Sequence, residues 1–142
     1  LHKVFHRLEF NHTLRPLPQD VQVVGSISGA CMLIRRAAHE SIEGFDTGFF
    51  LHFEDLDYCA RMAIQRWDVL FVPFITIEHT QGVSSAHMPL RVIMHKHKSM
   101  LRFFYKHGGW QRSLIPLLAP LVMAHACAQI FSALIKRARF AR

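Results

Sequence analysis

Past Glu78 the sequence contains no acidic residue. All ten Asp and Glu residues lie between Glu9 and Glu78. The remainder carries only cations: Arg91, Lys96, Lys98, Arg102, Lys106, Arg112, Lys136, Arg137, Arg139 and Arg142. A mixed-charge front is thus joined to a cationic tail. The formal net charge of +7 raises nucleic acid or a membrane surface as partner. No helix-turn-helix, zinc-finger or RNP-like signature is present, which argues against nucleic acid. The cations interleave with a strongly apolar stretch, a pattern that fits a membrane interface better. Cysteine is scarce. Cys31, Cys59 and Cys127 are far apart, with no CxxC or zinc-type spacing, which excludes a disulfide framework and a cysteine zinc site. Apolar or small neighbours make all three read as buried free thiols of a reducing compartment. No signal peptide opens the sequence, and Leu1 stands where Met would, so the chain reads as a fragment.

Half of the residues, 51%, are hydrophobic, enough for a packed core. Residues 1–20 are polar and His-rich, with Pro16 and Pro18, and read as a loop or linker. A turn is expected near Gly25 and a buried strand over Ala30–Ile34. A short helix over Ala37–Ile42 should end at Gly44 as its left-handed residue, with Phe45 as hydrophobic closure. From Glu54 the period becomes helical: Leu56, Cys59, Ala60, Ala63 and Trp67 share one side, and Asp57, Arg61 and Gln65 the other. Val69–Val72 reads as a strand, Phe74–Glu78 as a second, and Gln81–Pro89 as a loop. Val92–His107 reads as a basic helix closed by Gly108-Gly109. Within it, His95 and His97 stand two apart and cannot share a face, so both read as solvated. Ser113–Ile135 is an uncharged stretch of 23 residues, long enough to span a bilayer. Pro116 and Pro120 argue against a straight span.

The chemistry concentrates in Phe53-Glu54-Asp55-Leu56-Asp57. Three acids open a helix, where the helix dipole favours them. Mutual repulsion tends to raise carboxylate pKa values. Such a cluster can hold a cation or supply a general base beside a hydroxyl. The plainer reading is that the acids suit the dipole and Asp57 pairs with Arg61 at i,i+4.

The surrounding motifs alter that balance. Ser28-Gly29-Ala30-Cys31-Met32-Leu33-Ile34-Arg35-Arg36 precedes Glu43-Gly44-Phe45-Asp46. Phe49-Phe50-Leu51-His52-Phe53-Glu54-Asp55-Leu56-Asp57-Tyr58-Cys59-Ala60-Arg61 follows, then Val72-Pro73 and His79. In this order and spacing the sequence closely resembles family 2 (GT-A-type) glycosyltransferases, in particular their rhamnosyltransferase-like branch, from about Gly25 to His107.

The resemblance implies an α/β fold, the C-terminal, acceptor-side half of a GT-A domain over residues 1–109; the apolar stretch beyond it reads as a hydrophobic membrane-associated helical tail over 110–142. The resemblance also implies inverting transfer of a sugar, with rhamnose as the family's leaning, from a nucleotide-sugar donor to a glycan or lipid-linked acceptor of cell-surface polysaccharide. It makes Asp55 the catalytic base, and Glu54, with Asp57 and His52, acceptor-side binding residues. It makes His79 a ligand of the divalent metal, Mg2+ or Mn2+, on the donor diphosphate. The implied location is the cytoplasmic face of the bacterial inner membrane. The nucleotide-binding half with its Asp-x-Asp motif is absent from these residues, which alone are expected not to turn over donor. Arg66 stands where a glycine is usual before the tryptophan, and His52 where an aromatic is common. The competing expectation is a non-catalytic membrane-associated or partner-binding fragment.

Overall fold

The computed structural model describes residues 18–79 and 89–140. Loops expected over residues 1–20 and Gln81–Pro89 fall almost wholly outside the described residues. In chain order the described elements are β1 (Gln22–Val24), α1 (Arg36–Ser41), α2 (Glu54–Ile64), β2 (Val69–Phe71), α3 (Pro89–His107), a 3-10 helix (Gly109–Leu114) and α4 (Ile115–Phe140). They fall into two compact units. One takes the described part of Leu1–Thr47 and Glu54–Thr80, the other Gly48–Phe53 and the described part of Gln81–Arg142.

In the first unit, β1 and β2 pair antiparallel, with Val23 opposite Leu70. Ala38, Ile42, Tyr58 and Met62 form the buried core, and Ile34, Trp67 and Val69 pack on it. A fully buried large apolar side chain contributes about 1.5–3 kcal/mol, so this small cluster is what holds α1 to α2. Tyr58 stacks on Phe45 at 4.3 Å between ring centroids, the closure expected after α1. Its hydroxyl lies 2.8 Å from His39 Nδ1, and burial pushes its pKa up, so the hydroxyl stays protonated. Trp67 donates its indole N–H to Ser41 Oγ at 3.0 Å, which identifies it as a packing residue.

Two expected strands do not form. Ala30–Ile34 is irregular, and Leu33 there is fully exposed. Residues 75–79 are likewise irregular, with Ile75 70% exposed. Both stretches have strand-like side chains but no pairing partner among the described residues, and a strand without a ladder is not stable alone. Cysteines divide as well: Cys59 is buried, whereas Cys31 and Cys127 are exposed, contrary to expectation. Burial pushes the Cys59 thiol up, which keeps it protonated and inert.

Both helices of the core end in the same motif. In α1, Gly44 N–H donates to the His39 carbonyl and Glu43 N–H to that of Glu40. In α2, Trp67 N–H donates to Met62 and Arg66 N–H to Ala63. These are paired 6→1 and 5→2 bonds that require a left-handed residue at the first position past the cap. That residue is Glu43 (φ 59°) in α1 and Arg66 (φ 64°) in α2. Gly44 also has positive φ, 74°, as the sequence implies, but the left-handed residue next to the cap is Glu43, one residue earlier. A side chain on Gly44 would also crowd the His39 ring.

In the second unit α3 packs on α4. His97 is buried rather than solvated, 6% exposed. Its Nδ1 lies 2.8 Å from the Ile93 carbonyl, which can only accept, so Nδ1 carries the proton. With Nδ1 as donor, Nε2 accepts from His125 Nδ1–H at 3.2 Å. His125 in turn accepts at Nε2 from the Gln129 amide at 3.3 Å. One consistent proton order thus runs across the helix pair. Within Gly109–Ile135 a window of 18 residues has a mean hydropathy of 1.8 and is 6% buried, and the stretch is long and apolar enough to cross a membrane. Pro116 sits in the first turn of α4, and Pro120 lies inside it.

Arg66 adopts a conformation that costs a residue with a Cβ roughly 1–2 kcal/mol. Arg66→Gly is therefore expected to raise the unfolding free energy by about 1 kcal/mol. Denaturant titration checks this; an unchanged or lower midpoint at constant slope contradicts it.

Candidate active site

Glu54, Asp55 and Asp57 open α2, where the unpaired backbone N–H groups and the dipole favour negative charge. The three side chains nevertheless have different surroundings. Asp57 is fully buried, 0% exposed. It accepts from Arg61 Nε at 2.8 Å. Arg61 Nη1 then donates to the Ile42 carbonyl at 2.6 Å, a group left without an intrahelical partner at the end of α1. The i,i+4 pair expected from the sequence is present, but it faces inward. Asp57 and Arg61, which the helical period sets opposite Leu56 and Cys59, thus belong to a packed side of α2.

Asp55 is held by its own backbone and by one distant glycine. Leu56 N–H donates to Oδ1 at 2.8 Å. Gly29 N–H donates to Oδ2 at 3.0 Å across 26 residues of sequence. A Cβ on Gly29 would stand 3.4 Å from Asp55 Cβ, so the glycine permits this close backbone approach. Two N–H bonds use half of the roughly four acceptor sites of a carboxylate. The others remain able to accept from a hydroxyl. Glu54 Oε2 is shut off from solvent with no hydrogen-bond partner among the described residues. A buried carboxylate oxygen in that state is short of a donor.

His52 and Phe53, immediately before these acids, both have left-handed backbone, φ 63° and 66°. His52 is exposed. His79 is exposed on irregular chain past β2 rather than at a strand end. Among the described residues no three His, Cys, Asp or Glu side chains come together as a metal cluster. His79 would be a single imidazole donor there, so the described residues do not build a metal site on their own. A hollow of about 250 Å³ lined by Ser41, Ile42, Glu43, Arg61, Ile64 and Gln65 contains none of the acids at the start of α2. Sequence reasoning missed that the Gly29 amide fixes Asp55, since a backbone N–H leaves no signal in the sequence.

With this geometry in place, comparison with known proteins gives the class. Residues 2–97 match the family described as "Glycosyltransferase like family 2", and the chain belongs to that family. Membership fits a GT-A-like fold. The chain is similar to the N-acetylglucosaminyl-diphospho-decaprenol L-rhamnosyltransferase of Mycobacterium tuberculosis, 34% identical over 91 residues, 63% of this chain and 30% of that protein. It is also similar to the rhamnosyltransferase WbbL of Escherichia coli K12, 35% identical over 51 residues, 36% of this chain and 19% of that protein. The chain thus spans under a third of the length of the curated relatives it matches. No solved structure matches it.

Removing one partner of a buried ion pair strands the other charge, at a cost of roughly 3–5 kcal/mol. Asp57→Asn keeps the shape and removes the charge, and is expected to lower stability by about 3 kcal/mol. Asp55→Asn, at a half-exposed position with backbone donors only, should lower it by less than about 1 kcal/mol. Equal losses in thermal or denaturant unfolding would contradict the distinction.

Proposed function

We propose that these residues form the acceptor side of an inverting sugar transfer, with Asp55 as the general base. The observation that carries this reading is the pair Glu54–Asp55 at the start of α2. One carboxylate is aimed by Gly29 and Leu56 amides, and the other has an unsatisfied buried oxygen. An acceptor hydroxyl would donate to a free lone pair of Asp55. As its oxygen bonds to the anomeric carbon, the proton moves to Asp55 and the bond to the diphosphate breaks, inverting that carbon. A fixed base of this kind contributes about 10²–10⁴-fold. Glu54 would shape the acceptor site beside Asp55. His52 would line the same approach, and Asp57 would serve it through the helix that it braces.

The names of the relatives support L-rhamnose as the sugar and a lipid-linked diphosphate sugar as the acceptor class. A nucleotide-sugar donor follows from the family. We assign no step to a divalent metal, because the described residues offer only His79 toward one. His79 would be one donor to a metal on the donor diphosphate, with the others supplied from outside these residues. The exposed apolar surface of Gly109–Ile135 supports attachment to a membrane, with the basic helix α3 at the headgroups. Cations on either side of the apolar stretch suit both ends staying on the cytoplasmic face.

Two variants test the chemistry in the sugar-transferring enzyme. Asp55→Asn is expected to lower kcat by about 100-fold or more, and His79→Ala to raise the metal concentration needed for half-maximal rate. Near-normal turnover of a folded Asp55→Asn protein would remove the base assignment; an unchanged metal requirement would return His79 to a structural role. For attachment, the protein with and without residues after Gly109 is fractionated on membranes. The longer form should sediment with membranes and the shorter should not; two soluble forms at low salt would contradict the role.

A further inference from the structure

Only Gly108 and the 3-10 helix Gly109–Leu114 separate α3 from α4. His97 and His125 touch across the pair, Nε2 to Nδ1 at 3.2 Å. Each stands ten positions from its helix's end at the connection. The two helices therefore run antiparallel and side by side over at least that length, about 15 Å. Ala126, next to this contact, is 0% exposed and marks the packed face of α4. The opposite face is bare: Leu117 is 72% exposed, and Leu121 and Phe131 are each 67% exposed. Ala124 and Ala128, also exposed, complete a stripe whose members recur at spacings of four and three and so share a face.

If α4 crossed a bilayer, it would carry α3 with it. His97 is held at the level of His125, near the middle of the apolar stretch Gly109–Ile135. Lys96 and Lys98 flank His97 at exposed positions. Both ammonium groups would enter the hydrocarbon, where a charge is costly. His125 and Gln129, exposed on α4 itself, would face lipid tails. Parting the helices instead would break the His97–His125 contact and leave the buried His97 without that partner. A helix pair lying in the membrane plane meets neither cost. Its outward stripe enters the acyl chains, and α3, packed on the other side of α4, stays among the headgroups. Neither Gly48–Phe53 nor the chain past Glu78 has an acid, so this unit has no anion to oppose an anionic surface. Trp110, 74% exposed at the connection, is a residue type that favours the headgroup boundary.

We propose that α3 and α4 form a hairpin that lies in the plane of an anionic phospholipid surface, and that α4 does not cross the bilayer. The inference rests on the membrane attachment proposed above and fixes its mode. The stripe from Leu117 to Phe131 takes the acyl chains, and Lys98 on α3 takes the lipid phosphates. A second copy of this unit is the poorer occupant of the stripe, because its like charge would repel the first.

Spin labels on the full chain test this, with vesicles of phosphatidylethanolamine and phosphatidylglycerol as the probe. Cys31→Ser and Cys127→Ser remove the exposed thiols, and Leu117→Cys, Ala124→Cys or Phe131→Cys then places one label on the stripe. All three positions are exposed, so a label there displaces no packing. Collision with oxygen against a water-soluble nickel chelate reads the depth. The three labels should share one depth, about 5–10 Å into the boundary between headgroups and acyl chains. A crossing helix would set position 124 about 10 Å deeper than 117 and 131; that result, or a depth that changes steadily from 117 to 131, overturns the in-plane placement. Lys98→Gln should weaken vesicle binding about fivefold, and phosphatidylcholine vesicles should bind the unaltered chain more weakly still. Equal binding to both lipids, or no effect of Lys98→Gln, overturns the anionic contact. A chain that ignores vesicles at low salt, or pairs with a second copy through the stripe instead, overturns the attachment itself and this inference with it.

Discussion

A carboxylate without exposed surface, Asp57, holds the guanidinium of Arg61, which reaches on to the carbonyl of Ile42. This three-membered link ties the first turn of α2 to the last turn of α1. The Ile42 carbonyl is one of the groups that a helix end leaves without a partner, and a cation there also favours the helix dipole. Desolvating the pair is costly unless both charges are well bonded. The site geometry therefore depends on the pair being complete. With α2 fixed on α1, the Ser41–Trp67 bond and the Tyr58 packing follow, and Asp55 is presented two residues before the brace. The acids at the start of α2 divide by role: Asp57 supports, while Asp55 and Glu54 keep acceptor capacity.

Much of this was legible in the sequence. The helical periods of α1, α2 and α3 stood out because each carries several apolar residues at the right spacing. The motif order from Gly25 to His79 gave the family, which the match over residues 2–97 bears out. What could not be read follows from physics that a linear pattern does not encode. The inward face of Asp57 and Arg61 was hidden because they look like any i,i+4 pair unless the distant Ile42 carbonyl is known. His97 looked solvated because its partners, His125 and Gln129, lie on another helix. Ala30–Ile34 and 74–78 looked like strands because β-type side chains report propensity, whereas a strand needs a partner. Arg66 was flagged as a departure, yet the α2 terminus keeps its left-handed motif and absorbs the strain. The role of Gly29 was hidden since a backbone amide leaves no sequence signal.

Gly48–Phe53 joins these features to the cationic part of the chain. It is adjacent in sequence to the acids yet packs with α3. A helix rich in cations and aromatics suits an interface with headgroups.

The central claim is that Asp55 takes the proton of the acceptor hydroxyl while Gly29 and Leu56 hold its carboxylate. A crystal structure of the enzyme with its acceptor bound tests this most directly. The account predicts an Asp55 oxygen at hydrogen-bond distance, about 2.6–3.2 Å, from one acceptor hydroxyl, with the Gly29 bond retained. An acceptor seated with its nearest hydroxyl beyond about 5 Å from Asp55, and within hydrogen-bond reach of another base, would contradict it.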